Sequence, residues 1–187
     1  MPESAPPPAE LAGLSLAEIA RAVAAQRLPP VDQWDPQHCG DSAMRIARDG
    51  TWFHEGAPIR RPAMVRLFAS LLRREEDGRH VLVTPVEKLD IAVEDAPFVA
   101  VEARSEGRGR ERRIAFRLNT DEPVVAGPDH KLHLVEGRPY LTVRAGLEAA
   151  VARPVYYELA ELALEEGADP PGLWSDGRFF SLSATES

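Results

Sequence analysis

Two adjacent arginines, Arg60 and Arg61, stand immediately before Pro62 at the start of a run that reads as a helix. A helix N-terminus already carries partial positive charge and unpaired N–H groups, so cations gain nothing there from the dipole. An anion docking at that end would account for them, and ion pairs with the chain's many carboxylates would account for them equally. Lys88 follows Thr84-Pro85 at a strand junction, where it can face a ligand or pair structurally with Glu87. Arg104, Arg108, Arg110, Arg112 and Arg113 cluster, but Glu102, Glu106 and Glu111 are interleaved with them, which reads as a solvated hairpin rather than a nucleic-acid surface.

Nothing completes a catalytic set. Cys39 sits beside His38, but a nucleophile and its base must meet in space, which neighbours in sequence seldom do. His130 and His133 have the spacing H-x-x-H, and on a strand they face opposite sides with no thiol or carboxylate pair nearby to make a zinc set. Gly107-x-Gly109 is followed by no helix and so forms no phosphate loop. Trp52 and Trp174 each adjoin an Asp-Gly turn, which suits packing at a core or seam.

The elements that must position these residues follow from periodicity. Ser15 and Glu18 form a capping box ahead of Leu16, Ile19, Ala20 and Val23, predicting a helix over about 16–27 after a Pro/Ala-rich arm. Met44 and Ile46 alternate with polar positions, Asp49-Gly50 reads as a two-residue hairpin turn, and Trp52 to His54 returns. Pro62 opens a helix predicted over 62–74. Strands are expected at 80–84, 89–94, 98–102, 114–118, 132–134 and 140–143, with 105–110 a loop and a helical region over about 145–166. Pro154 kinks that region or begins a second helix. Trp174 to Leu182 reads as a last turn and strand.

A short repeat is visible. EGAPIRR at 55–61 and EGRPYLTVR at 136–144 both follow a strand and lead to a strand, a helix and a further strand. A duplicated strand-strand-helix-strand core would place a cleft at the seam between copies, a common ligand position.

Composition narrows the classes. The net charge of −8 argues against coating nucleic acid or an anionic membrane. One cysteine in 187 residues allows no internal disulfide and points to a reducing, cytoplasmic setting. No apolar run is long enough to span a bilayer, and MPESAPPPAE is not a signal peptide. With 44% hydrophobic and 28% charged residues the chain can bury a core.

At TWFHEGAPIRR, VRLF, LVTPVEKLDIAVEDAPF, NTDEPV, the PYL–VR–GLEA run at 139–149, VYYEL and WSDGRFF, the chain resembles the uncharacterised proteobacterial family called domain of unknown function 1285. The resemblance runs from about Leu28 to Leu182, with a longer Pro-rich N-terminus here. It implies an α+β protein with a duplicated core, a C-terminal part loosely similar to pleckstrin-homology-like folds, a nucleotide-like ligand at the domain interface, and a link to signalling. It carries no residue roles.

The resulting expectation is an α+β protein in three segments: an arm and helix at 1–33, an N-terminal domain at 34–86, and a mostly antiparallel C-terminal domain with a helix at 87–187. Its expected role is a non-enzymatic binding module for a nucleotide-like anion, with no cofactor or metal. Arg60, Arg61, Lys88 and Arg144 supply charge, Asn119 hydrogen bonds, and Trp52 or Tyr140 a stacking face. The rivals are a protein-interaction module using the N-terminal helix or a sheet edge and, behind it, a phosphoester hydrolase or transferase.

Overall fold

The computed structural model describes residues 28–183. The predicted helix over 16–27 and the Pro/Ala-rich arm lie outside the described residues.

A 3-10 turn at Val31–Gln33 leads into β1 (His38–Ile46), β2 (Trp52–His54) and β3 (Ala57–Pro58). Helix α1 (Pro62–Ser70) follows, then β4 (Leu72–Arg74), β5 (His80–Val83) and β6 (Glu87–Val93). The second half contributes β7 (Phe98–Glu106), β8 (Arg113–Leu118), β9 (Pro123–Val125), β10 (Leu132–Val135), β11 (Arg138–Arg144) and β12 (Leu147–Val151). Helix α2 (Arg153–Glu166) and the hairpin β13 (Gly172–Ser175) and β14 (Arg178–Ser181) close the chain.

The two halves have the same topology. The first sheet runs β3-β2-β1-β6-β5-β4 and the second β10-β11-β12-β7-β8-β9. Each is two antiparallel three-stranded meanders, joined where the first strand of one lies parallel to the last strand of the other, β1 against β6 and β7 against β12. The chain is therefore a duplicated α+β protein, mostly sheet. The register of the duplication is not the one that the E-G-x-P letters suggest. Glu55-Gly56 joins β2 to β3, whereas Glu136-Gly137 joins β10 to β11, whose counterparts in the first half are β4 and β5. The helices are not counterparts either: α1 lies between the two meanders of its sheet, and α2 follows the whole of the second. The letters agree because both turns need an X-Gly pair with positive φ, which Glu55-Gly56, Glu136-Gly137, Ala145-Gly146 and Asp176-Gly177 all show.

Several expected boundaries shift. The helix over 62–74 ends at Ser70, because Leu72 to Arg74 pair with His80 to Leu82 as an edge strand that buries Leu72. The helical region over 145–166 begins instead with a hairpin: Ala145-Gly146 turns, and β12 buries Leu147, Ala149 and Val151 at strand spacing. Pro154 then sits in the first turn of α2, where its missing N–H costs nothing. Strand β7 runs on through Glu106 into the expected loop, held by pairing with β8. Asp49-Gly50 is not a two-residue turn. Gly50 alone takes a positive φ, +90°, and the Gly50 N–H bonds back to the Ala47 carbonyl, so the hairpin closes through a turn over 47–50. Strand β6, placed at the head of a second domain by the 86/87 division, completes the first sheet.

One core runs through both halves. It joins Ile46, Trp52, Leu72, Leu82 and Ile91 to Phe98, Phe116, Leu118, Leu141 and Leu147. Helix α2 buries Val155, Leu159 and Ala163, at helical i, i+4, i+8 spacing, and stops at Gly167 in the left-handed conformation. Full burial of Leu159 is worth about 1.5–3 kcal/mol.

Candidate functional site

The seam between the halves is built around four consecutive residues in the turn from β8 to β9. Asn119 donates from Nδ2 to the Gly50 carbonyl at 3.3 Å and accepts the Val99 N–H on Oδ1 at 3.0 Å. Asp121 receives Arg117 at 3.2 Å and Arg66 of α1 at 3.5 Å. Glu122 pairs with Arg144 at 3.2 Å, and Arg144 also reaches the Ala69 carbonyl near the C-terminal end of α1 at 3.4 Å. Helix α1 is thus held at its middle, through Arg66, and near its C-terminal end, through the Ala69 carbonyl, by this turn's neighbourhood. Thr120 alone has a side chain without a partner: its hydroxyl is buried and makes no hydrogen bond among the described residues.

Thr120 lines a pocket of about 260 Å³ shared by both halves, with Gly50, Trp52, Arg60, Pro62, Val65, Arg66 and Asp121 around it. Trp52 is 1% exposed and its ring stacks on Phe68 at 6.5 Å, but its indole N–H also has no partner. Trp52 and Thr120 thus each hold a buried polar group without a partner, which is unusual, since each costs about 1–3 kcal/mol when unmade. The first turn of α1 forms part of the wall. Arg61, its N-cap residue, makes no side-chain cap, and the turn holds no acidic residue. Arg60 and Arg61 are exposed and have no carboxylate partner among the described residues.

Three of the seven expected site residues, Trp52, Arg60 and Asn119, line this pocket, and Arg61 adjoins it in sequence. Trp52 offers no stacking face, because its side chain is buried and packs on Phe68. Asn119 spends its amide on the seam. The other three lie elsewhere. Lys88 pairs with Glu75 at 2.8 Å, and Arg73 joins that carboxylate at 3.1 Å while its other nitrogen donates to the Val31 and Trp34 carbonyls. The Lys88 ammonium first, and Arg73 second, hold the Glu75 carboxyl below its ordinary value against the opposing effect of burial. This cluster anchors the incoming chain. Arg144 is an internal tie, stacked over Phe98 at 5.3 Å. Tyr140 donates to Asp95 at 2.7 Å and lines a separate cleft with Arg138, Arg153 and Tyr157.

Thr120, Arg66 and Asp121 were not singled out by sequence reading. For Thr120 and Asp121 the signal is the run Asn-Thr-Asp-Glu between two strands, a turn whose side chains are all polar. Elsewhere, a cavity of about 600 Å³ is lined by Arg110, Arg112 and Arg113 together with Glu106, Glu111 and Asp176, a balanced set. No group of three or more metal-ligating side chains occurs among the described residues. His133 pairs with Glu148 and His130 with the Thr142 carbonyl. No helix among the described residues is long and apolar enough to cross a membrane.

No functionally curated protein matches this chain. Among solved structures, a DUF1285 family protein from Silicibacter pomeroyi DSS-3 is 46% identical, with a TM-score of 0.77, covering 89% of this chain and 95% of that one. A second, from Shewanella baltica OS155, is 24% identical with a TM-score of 0.52, covers 64% of this chain and 91% of that one, and supports the fold alone. The model "Domain of unknown function (DUF1285), N-terminal domain" matches residues 29–96, and "Protein of unknown function (DUF1285), C-terminal domain" matches 97–182. The two meet between the sheets, after β6, and because together they span most of the sequence, the chain belongs to the DUF1285 family.

Proposed function

We propose that the protein is a non-enzymatic module that binds a small anionic ligand in the seam pocket. The observation that carries this reading is the pair of buried donors without partners, the Trp52 indole N–H and the Thr120 hydroxyl, beside an uncapped helix start flanked by Arg60. A pocket walled by both halves couples occupancy to their packing, which suits the signalling role that the family resemblance suggests. The exposed thiol of Cys39 suits a reducing, cytoplasmic setting.

The test is a thermal-shift screen of the full chain against nucleotides, sugar phosphates and dicarboxylates. A ligand at about 100 times its dissociation constant adds roughly 2.7 kcal/mol, a rise of about 5–10 °C for a chain of this size. No shift with any anion defeats the reading.

A second reading, protein interaction, has one observation behind it. Helix α1 leaves Met64 and Leu67 exposed, the latter at 60%. Proteins that co-purify with the full chain but not with the Met64→Glu/Leu67→Glu variant would favour it.

A further inference from the structure

We propose that the outer face of α1 is the docking site of the chain's own preceding segment, residues 16–27, which runs alongside α1 in the same direction and covers Met64 and Leu67.

Helix α1 is covered on one side only. Its sequence includes Ala63, Met64, Val65, Leu67, Phe68 and Ala69, yet among the described residues Ala69 is the only one of them that is buried. Val65 and Phe68 are half-buried against the core, while Ala63, Met64 and Leu67 are exposed. A helix that is apolar around most of its circumference is ordinarily covered on both sides. At the start of the same helix Arg61 is exposed and has no carboxylate partner among the described residues. The uncovered face therefore asks for an apolar stripe with an acid at one end.

The occupant follows from where the chain enters the described region. Leu28 is half-exposed, and three residues on Val31 is buried. The Val31 carbonyl accepts Arg73 Nη1 at 2.6 Å, and Arg73 belongs to β4, which starts two residues after α1 ends. The chain therefore enters beside the C-terminal end of α1. The sequence immediately before Leu28 is the one whose periodicity predicts a helix over about 16–27, with Leu16, Ile19, Ala20 and Val23 as its apolar stripe. That segment lies outside the described residues. Laid back along α1 from Leu28, it agrees with the uncovered face in length and in order. At about 1.5 Å per residue, the stretch from Leu28 back to Glu18 spans about 15 Å, and so does the stretch from Leu71 back to Arg61. The same count sets Val23 beside Leu67, sets Ile19 and Ala20 beside Met64, and brings the Glu18 carboxylate to Arg61. Apolar side chains then meet apolar ones, and the unpaired cation meets an anion.

The test uses the full chain carrying Cys39→Ser and one introduced cysteine pair, treated with oxidised glutathione. Val23→Cys/Leu67→Cys should close a disulfide within one chain. Val23→Cys/Leu164→Cys, whose second position is exposed on α2, should not. In the chain without introduced cysteines, Ile19→Glu/Val23→Glu should speed hydrogen exchange of the α1 N–H groups by about tenfold. Glu18→Arg and Arg61→Glu should each speed it by about twofold to fivefold, and the two together should restore the wild-type rate. A disulfide that forms between two chains instead of within one gives the face to a second copy and overturns the proposal. So does a protein that co-purifies with the wild-type chain and is lost in Met64→Glu/Leu67→Glu, which gives the face to a partner. Equal disulfide yields from the two cysteine pairs, or α1 exchange unmoved by Ile19→Glu/Val23→Glu, overturns the docking itself. Exchange that is not restored in Glu18→Arg/Arg61→Glu overturns the parallel direction.

Discussion

Asn119 donates its side-chain amide to the carbonyl of Gly50 at 3.3 Å, so a residue of the second half closes the first hairpin of the first. Gly50 has a φ of +90°, and a Cβ there would sit 2.7 Å from the Asn119 nitrogen. The close approach and the backbone conformation both require glycine. Asn119→Ala should cost about 1–3 kcal/mol, the worth of two partly buried hydrogen bonds. Gly50→Ala should cost more than a glycine substitution at an open turn, and part of that cost should vanish in the Asn119→Ala background. A double-mutant cycle by urea denaturation measures the coupling; strictly additive effects would mean that the seam does not join these residues.

The Glu122–Arg144 pair gives the seam a pH dependence. Burial pushes the Glu122 carboxyl above its ordinary 4.5, and attraction to Arg144 and His130 offsets only part of that. Burial likewise lowers Arg144. A carboxyl whose folded value is raised binds its proton more tightly when folded. Stability from this group is therefore fully present below pH 4.5 and is lost as pH rises toward the folded value. Glu122→Gln should remove that slope from a plot of stability against pH. Arg144→Met leaves a buried carboxylate unpaired and should cost about 3 kcal/mol at neutral pH. A stability profile that is the same for wild type and Glu122→Gln would dismiss this role.

His80 acts in the opposite direction. It pairs across the strands with Arg74, and burial, then that arginine, lowers its value below 6.5. A histidine held neutral in the fold contributes stability that is present above pH 6.5 and is lost on acidification through the folded value. His80→Gln should flatten the loss of stability below pH 6.5. An NMR titration showing the ring protonating at or above 6.5 would contradict the assignment.

How much of this was legible in the sequence differs by level. Strand β8 follows from alternation, β5 from a short apolar run, and β2 and β11 from the turns before them, while Pro62 locates the start of α1 and Pro154 allows two readings, one of them the start of α2. Leu72-Arg73-Arg74 looks helical locally, and only its partner strand, eight residues on, makes it an edge. Ala145-Gly146 looks like the start of a helix because alanine favours one, and the turn is fixed by tertiary pairing of β11 with β12. The duplication was readable as a fact but not in register, because sheet order is a long-range property while X-Gly turns recur wherever a tight hairpin is needed. At the site, Arg60 was visible because an unpaired cation at a helix start is locally odd. Thr120 was not, since nothing in a threonine's sequence context shows that its hydroxyl will be buried without a partner.

That hydroxyl yields the most discriminating prediction about the ligand-free protein. A buried hydroxyl without a partner has lost its water and gained nothing, so replacing it with a methyl group of nearly the same shape should remove a penalty. Thr120→Val should raise the stability of the ligand-free chain by about 1 kcal/mol, read as a higher urea midpoint with an unchanged slope. The same substitution should weaken anion binding. Stability gained together with binding lost is the signature of a group kept for a ligand rather than for the fold. A Thr120→Val variant that is less stable than wild type would show instead that the hydroxyl serves the seam itself, and the case for a ligand would then rest on Trp52 and the start of α1 alone.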